Sequence, residues 1–213
     1  LAKLVNDARS FGIQVLSPNI NAKNIEFSIE GEAIRFGLSN IKFVTSKFLD
    51  AIHTLPRLTD WRDFIRLCFT DKFGIKPNKN TVEALVVTGA FGDLGLGRKV
   101  LLNLHGFLSD LTDKELGFLI NCLDGEPLIK INSIYDLKTL PYPTRRAAKL
   151  ASLIQFLDLD EKDEIGFLAA SEKRFIGVRL TATNADGKAG EIYDFCSDCK
   201  MDAPNFTKLQ LGV

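Results

Sequence analysis

The chain has 213 residues, 46% of them hydrophobic, enough for one medium domain or two small ones with real cores. Its 27 basic and 27 acidic residues cancel, so no global positive field points to nucleic acid, and any such contact has to come from a local patch. No apolar run approaches the roughly 18 residues of a membrane span, and the N-terminal "LAKLVNDARS" lacks the charged start and apolar core of a signal peptide, so no membrane partner and a cytoplasmic location are expected.

In chain order, Leu1, Leu4, Val5, Ala8 and Phe11 stand at helical spacing and Gly12 is a natural stop, which predicts an amphipathic helix. "IEFSI" alternates Ile25, Phe27 and Ile29 with polar residues, and "EGEA" leads into "IRFGL", predicting a hairpin of Ile25 to Ile29 with Ala33 to Leu38. From Ser39 the pattern turns helical and stays so through most of the chain, with Pro, Gly or Asn in short connections. Asn80 with Glu83 makes a capping-box pattern ahead of the stripe Val82, Leu85 and Val86, and Gly89 marks the stop. Thr112 with Glu115 repeats the device, Pro141 and Pro143 precede "TRRAAKLASLIQFL", and Asp158 or Asp160 can cap "EKDEIGFLAA". Beyond Phe175 strand-like pieces surround an Asp-Gly turn, and "NFTKLQLGV" reads as a last strand whose partner would belong to a following domain. The fold class is therefore mostly α with a small β-hairpin.

The four cysteines are too sparse for a disulfide scaffold, so reduced thiols are expected. Cys196 and Cys199 have metal-ligand spacing, but a zinc site needs four ligands and no second pair or nearby His follows; two loop thiols is the plain reading. His53 and His105 are isolated, and no nucleophile, base and acid come together as a set, which ranks an independent small enzyme low.

Four stretches, "LVNDARSFGIQVLSPNIN", "IRFGLSNIKFV", "NKNTVEALVVTGAFGDLG" and "DEIGFLAAS", together resemble the bacterial replicative DNA polymerase III alpha subunits, C-family polymerases, from the end of the fingers through the helix-hairpin-helix region. The family pattern there runs approximately "GI-VLPPDIN", "IR-GL-AIKGVG", "N-R-LEALI-AGAFD-LG" and "E-LG-YLS". The resemblance implies a helix-hairpin-helix-containing multi-helix fold. Residues 1–44 would be the end of the fingers with its hairpin, 45–171 a duplex-binding helical domain, and 172–213 a connector toward a further domain. It also implies DNA-templated DNA synthesis by the whole protein in a bacterial or phage-infected cell. The palm aspartates that hold Mg2+ in that family lie upstream of this sequence, so this chain is expected to carry no catalytic residue and no cofactor of its own, and to be inactive alone. Asp158-Leu159-Asp160 opens a helix and reads as a capping pair.

Helix-hairpin-helix units hold duplex DNA through backbone N–H groups of a Gly-containing turn, helped by Lys or Arg. In "KFGIKPNKNTVEAL", with Lys72 at its edge, the resemblance selects Lys76, Asn78 and Lys79, with Asn80 and Thr81 at the helix N-terminus, as contacts to primer-template duplex; a solvated, Pro-stiffened loop is the plain alternative. "GAFGDLGLGRKVLL" offers Gly92, Gly95 and Gly97 before Arg98 and Lys99, either a second phosphate contact or an interhelix turn. It follows a helix, so it is no dinucleotide fingerprint. Arg35 and Lys42 match "IR-GL-AIK", facing the polymerase cleft in the family; a hairpin residue pointing to solvent is the even alternative for Arg35.

In "SNIKFVTSKFLDAI", Phe43 and Thr45 replace the two glycines of the family turn. Their side chains should block close backbone approach, and β-branched Thr45 suits positive φ poorly, so a packing role is expected, with Phe43 partly buried and Lys42 the turn's phosphate contact. "QFLDL", Gln155 to Leu159, is similar to a sliding-clamp-binding peptide, with Asp158 where an apolar residue is expected; it also fits the end of an amphipathic helix. The competing function from another class is a helical module that docks other replication proteins.

Overall fold

A computed structural model describes residues 1–123 and 161–181 of the chain. The first helix, α1 (Ala2–Ser10), forms as its periodicity predicts, but its apolar stripe is only partly used. Val5 is buried and Ala8 packs against the core, while Leu4 and Phe11 are 69% and 82% exposed. Arg9 ties the helix to the far end of the described chain, its Nη2 donating to the Arg179 carbonyl at 2.6 Å.

The predicted hairpin is present and shorter, β2 (Ser28–Glu30) antiparallel to β3 (Ala33–Arg35), with Ile29 opposite Ile34. It gains a third strand, β1 (Val15–Leu16), which runs parallel to β3 and sets the order β1-β3-β2. A two-residue strand is too short to show alternation, so β1 leaves no periodic signal. Phe36, fully buried, meets the Phe27 ring edge-to-face at 4.8 Å and anchors this sheet to the helices.

The helical body follows. In α2 (Ser46–Ala51), Thr45 is the N-cap with φ −83, and its hydroxyl accepts from the Phe48 N–H at 3.3 Å. The residue expected to resist a left-handed turn therefore never meets one, and it takes the role its hydroxyl favours. Thr45→Ala is expected to lower stability by about 1 kcal/mol in thermal or urea unfolding, and Thr45→Gly by only a few tenths. Asp60 caps α3 (Trp61–Phe69), accepting from the Arg62 N–H at 2.8 Å.

The cap of α4 (Lys79–Val87) is Asn78, not Asn80. Its Oδ1 accepts from the Thr81 N–H at 2.9 Å, the bond a cap makes to the third helical residue; Asn80 already lies inside the first turn. At the other end Gly89 takes φ 85, the left-handed stop that the sequence predicts. α5 (Arg98–Ser109) and α6 (Asp113–Leu123) come next. The Thr112–Glu115 capping box closes as expected, the Thr112 N–H and hydroxyl both donating to Glu115 Oε2 at 3.0 and 2.9 Å.

α7 (Ile165–Ile176) starts later than the sequence suggests, with Glu164 at its N-cap and no side-chain cap bond; Asp158 and Asp160 stand too far upstream to cap it and lie outside the described residues.

The core centres on α4, where Thr81, Val82, Ala84, Leu85, Val86 and Val87 are all buried. A helix buried over most of its surface needs neighbours on several sides, and α5 and α7 both pack on it. One apolar cluster runs from Val5, Val15, Ile20, Phe36 and Leu38 through the helices to Leu180, so residues on both sides of position 44 share a core.

Candidate nucleic-acid interface

The asparagines of "SPNIN" hold the turns in place. Asn21 Nδ2 donates to the Leu58 carbonyl at 2.9 Å, and the Leu58 N–H returns a 2.8 Å bond to Asn21 Oδ1. Asn19 and Asn21 also donate to Asp93 Oδ2 at 3.1 and 3.0 Å, and the Ile20 N–H reaches the Ala90 carbonyl. These side-chain bonds, from Asn21 first and then Asn19, keep the Asp93 carboxyl below the usual carboxylate range. The segment thus pins both "LPRLTD" and "GAFGDLG" beneath the sheet.

Two lysine-bearing segments meet at one bond. The Thr81 hydroxyl, wholly buried at the start of α4, donates to the Phe43 carbonyl at 2.7 Å. This joins the first turn, with exposed Lys42, to the segment holding exposed Lys76, Asn78, Lys79 and Asn80. Thr81 is therefore the seam between the segments rather than a surface contact. The Lys42 N–H is fixed on the Phe175 carbonyl at 2.9 Å. Phe43 carries the positive φ of the turn, 70°, and is 54% exposed, more open than the packing role expected for it. Behind this face, burial pushes the Cys68 thiol up, with Lys76 opposing, and burial followed by the Lys79 charge keeps His105 below the usual histidine range. His105 packs beside Phe69, so both groups are core rather than chemistry.

Three of the cations nominated by sequence turn inward instead. Arg98 Nη1 pairs with Glu172 Oε1 at 2.8 Å and also donates to the Val87 carbonyl at 2.8 Å. Lys99 Nζ meets Glu161 Oε1 at 2.6 Å, which holds its ammonium above the usual lysine range. The start of α5, for which the sequence offers either a phosphate contact or an interhelix turn, is filled by the chain itself: Asp163 accepts from the Arg98 and Lys99 N–H groups, both at 2.8 Å. Arg35 forms a bidentate pair with Glu30 at 2.6 and 2.8 Å and donates to the Ser17 carbonyl at 2.7 Å, so it is neither a free hairpin tip nor an open cleft cation. It shares a cleft of about 290 Å³ with Arg98, Asp93 and Asp163, every one of them hydrogen-bonded within the chain. Asp163 and Glu172 are the residues that sequence reasoning missed; each lies far in sequence from the helix start or cation it serves.

Among the described residues, no three His, Cys, Asp or Glu side chains gather to hold a metal ion. Cys196, Cys199 and the clamp-like Gln155 to Leu159 lie outside the described residues. Among the described residues no helix is long and apolar enough to cross a membrane.

A turn at Phe43 seated on the start of α4, with Asn78 capping that helix, is helix-hairpin-helix architecture, and residues 12–101 match the family model described as a helix-hairpin-helix motif. The relatives narrow this class. The chain is 36% identical over 140 residues to DNA polymerase III subunit alpha of Aquifex aeolicus, a match covering 63% of this chain and 11% of that one. It is 33% identical over 116 residues to the protein of the same name from Mycobacterium tuberculosis, covering 52% of this chain and 9% of the relative. A 26% identical match to that of Halalkalibacterium halodurans spans 208 residues, 92% of this chain and 18% of the relative. The chain is thus similar to DNA polymerase III alpha subunits and spans less than a fifth of the length of these relatives.

Proposed function

We propose that this chain is the non-catalytic DNA-binding part of a replicative polymerase of the DNA polymerase III alpha type, holding primer-template duplex by its phosphate backbone. The observation that carries the reading is the Thr81–Phe43 bond, which sets Lys42 beside the segment bearing Lys76 and Lys79 within the matched motif. The contacts are Lys76, Lys79 and Lys42, with Asn78 and Asn80 lining the helix start; Arg35, Arg98 and Lys99 serve the fold instead. Such contacts ignore sequence and release counterions, so binding should weaken steeply with salt. The whole polymerase would work in the bacterial cytoplasm and draw its Mg2+ chemistry from palm carboxylates, and this chain alone should extend no primer.

The test is duplex binding followed by fluorescence anisotropy across a salt series. Lys76→Ala with Lys79→Ala should weaken binding and flatten the slope of log affinity against log salt by about 2. No binding at low salt, or a double variant indistinguishable from the parent, overturns the proposal. A second reading, docking of another replication protein, has one observation in its favour, the exposed Leu4 of α1 and Phe11 just after it. The same low-salt assay separates the two.

A further inference from the structure

Phe43 is strained without being buried. Apart from glycines, only it and Lys23 have positive φ among the described residues, and for a bulky aromatic the left-handed region is a genuine outlier. Its backbone is pinned on both sides, by the Lys42 N–H on the Phe175 carbonyl and by the Thr81 hydroxyl on its own carbonyl. The ring lies against the buried Phe175 rather than within the core, the two meeting edge-to-face with centroids 5.8 Å apart. The result is a firmly held aromatic ring, 54% exposed at the tip of the turn.

Its surroundings are cationic. Lys42 precedes it and is exposed, and Lys79 opens the helix that Thr81 anchors to it. Arg174 lays its guanidinium 4.9 Å from the centre of the Phe175 ring and is itself 71% exposed. Glu83 stands 3.9 Å from Arg174 as an acidic neighbour. A half-exposed aromatic ring with cations near it suits an unstacked nucleobase whose flanking phosphates meet the lysines, and stacking of this kind tolerates any base. The same ring stands where a close approach of backbone to duplex phosphate would otherwise occur.

We propose that Phe43 is a stacking site for an unpaired nucleobase, so that this turn engages the single-stranded side of a primer-template junction. The inference rests on the DNA-binding reading above and adds a ligand class to it. The full chain is titrated with a blunt duplex and with the same duplex carrying a single-stranded extension, and the ratio of the two affinities is read. The extended duplex should bind more tightly. Phe43→Leu, which keeps bulk without a π-face, should cut that ratio by at least about fivefold, and Phe43→Tyr should preserve it. Phe43→Gly should lose the ratio while raising affinity for the blunt duplex. Equal binding of both probes by the parent, or a ratio that survives Phe43→Leu, overturns the stacking site. If the parent binds the blunt duplex through Lys76 and Lys79 yet ignores the extension, this inference alone fails; if it binds neither probe, the DNA-binding reading fails with it.

Discussion

Glu172→Ala is expected to cost about 3–5 kcal/mol of folding stability, the range for breaking one side of a buried ion pair. The Glu172 side chain is wholly buried, and besides Arg98 it accepts from the Leu180 N–H at 2.5 Å, the Thr181 N–H at 3.0 Å and the Thr181 hydroxyl. Removing the carboxylate leaves the Arg98 guanidinium, 12% exposed, facing the gap while still bonded to the Val87 carbonyl. It also frees two backbone donors just beyond α7, so the charge penalty and the lost hydrogen bonds fall on one substitution. For a domain with a total stability of about 5–15 kcal/mol, that is a large part of the margin. The pair is a closure device: it ties the end of α4 and the start of α5 to α7. Urea unfolding followed by circular dichroism reads the loss. Replacing both partners by apolar residues, Arg98→Met with Glu172→Leu, should be far milder than Glu172→Ala alone, because no unpaired charge remains. A loss below about 1 kcal/mol for Glu172→Ala would mean that the pair does not hold α7.

That closure was invisible in the sequence, and the reason is distance along the chain. Arg98 and Glu172 are 74 positions apart, and Asp163 caps a helix that begins 65 positions before it. Periodicity and capping patterns report on residues within a turn or two of each other. Accordingly α1, the hairpin, the Thr112–Glu115 box and the Gly89 stop were all legible. Asn19 and Asn21 looked like loop residues because their partners, Asp93 and Leu58, are 74 and 37 positions away. The glycine replacements at 43 and 45 were legible as departures from the family pattern, but their consequences were not. Thr45 is a cap and Phe43 bears the left-handed strain, a division that depends on where α2 begins. Basic residues at a helix start suggested phosphate at both turns. The structure separates them: Lys76 and Lys79 stay exposed, whereas Lys99 and Arg98 meet Glu161, Asp163 and Glu172.

Gly37→Ala is expected to cost about 3 kcal/mol, at or above the upper end of the usual overpacking range, although nothing in its backbone conformation demands glycine. Gly37 has φ −75, ordinary for any residue. What it lacks is room: a Cβ there would lie 2.6 Å from the Glu26 carbonyl carbon and 2.7 Å from the Phe27 nitrogen, backbone atoms that no rotamer change can move. The two segments are also bonded side by side, the Leu38 N–H to the Asn24 carbonyl at 3.0 Å and the Ser39 N–H to the Ile25 carbonyl at 2.9 Å. Accommodating a methyl group therefore means parting these segments, which strains both bonds and lifts the fully buried Phe36 and Leu38 from the core. Gly31→Ala supplies the contrast, since Gly31 has φ 63 with open space around it and should cost only the left-handed penalty of about 1 kcal/mol. Thermal unfolding of the two variants side by side decides the matter: a Gly37→Ala loss no larger than that of Gly31→Ala would rule out close approach as the reason for this glycine. The segment that Gly37 seats leads straight into Lys42 and Phe43. A variant that stays folded should therefore also bind DNA more weakly, because the turn no longer sits squarely on Thr81.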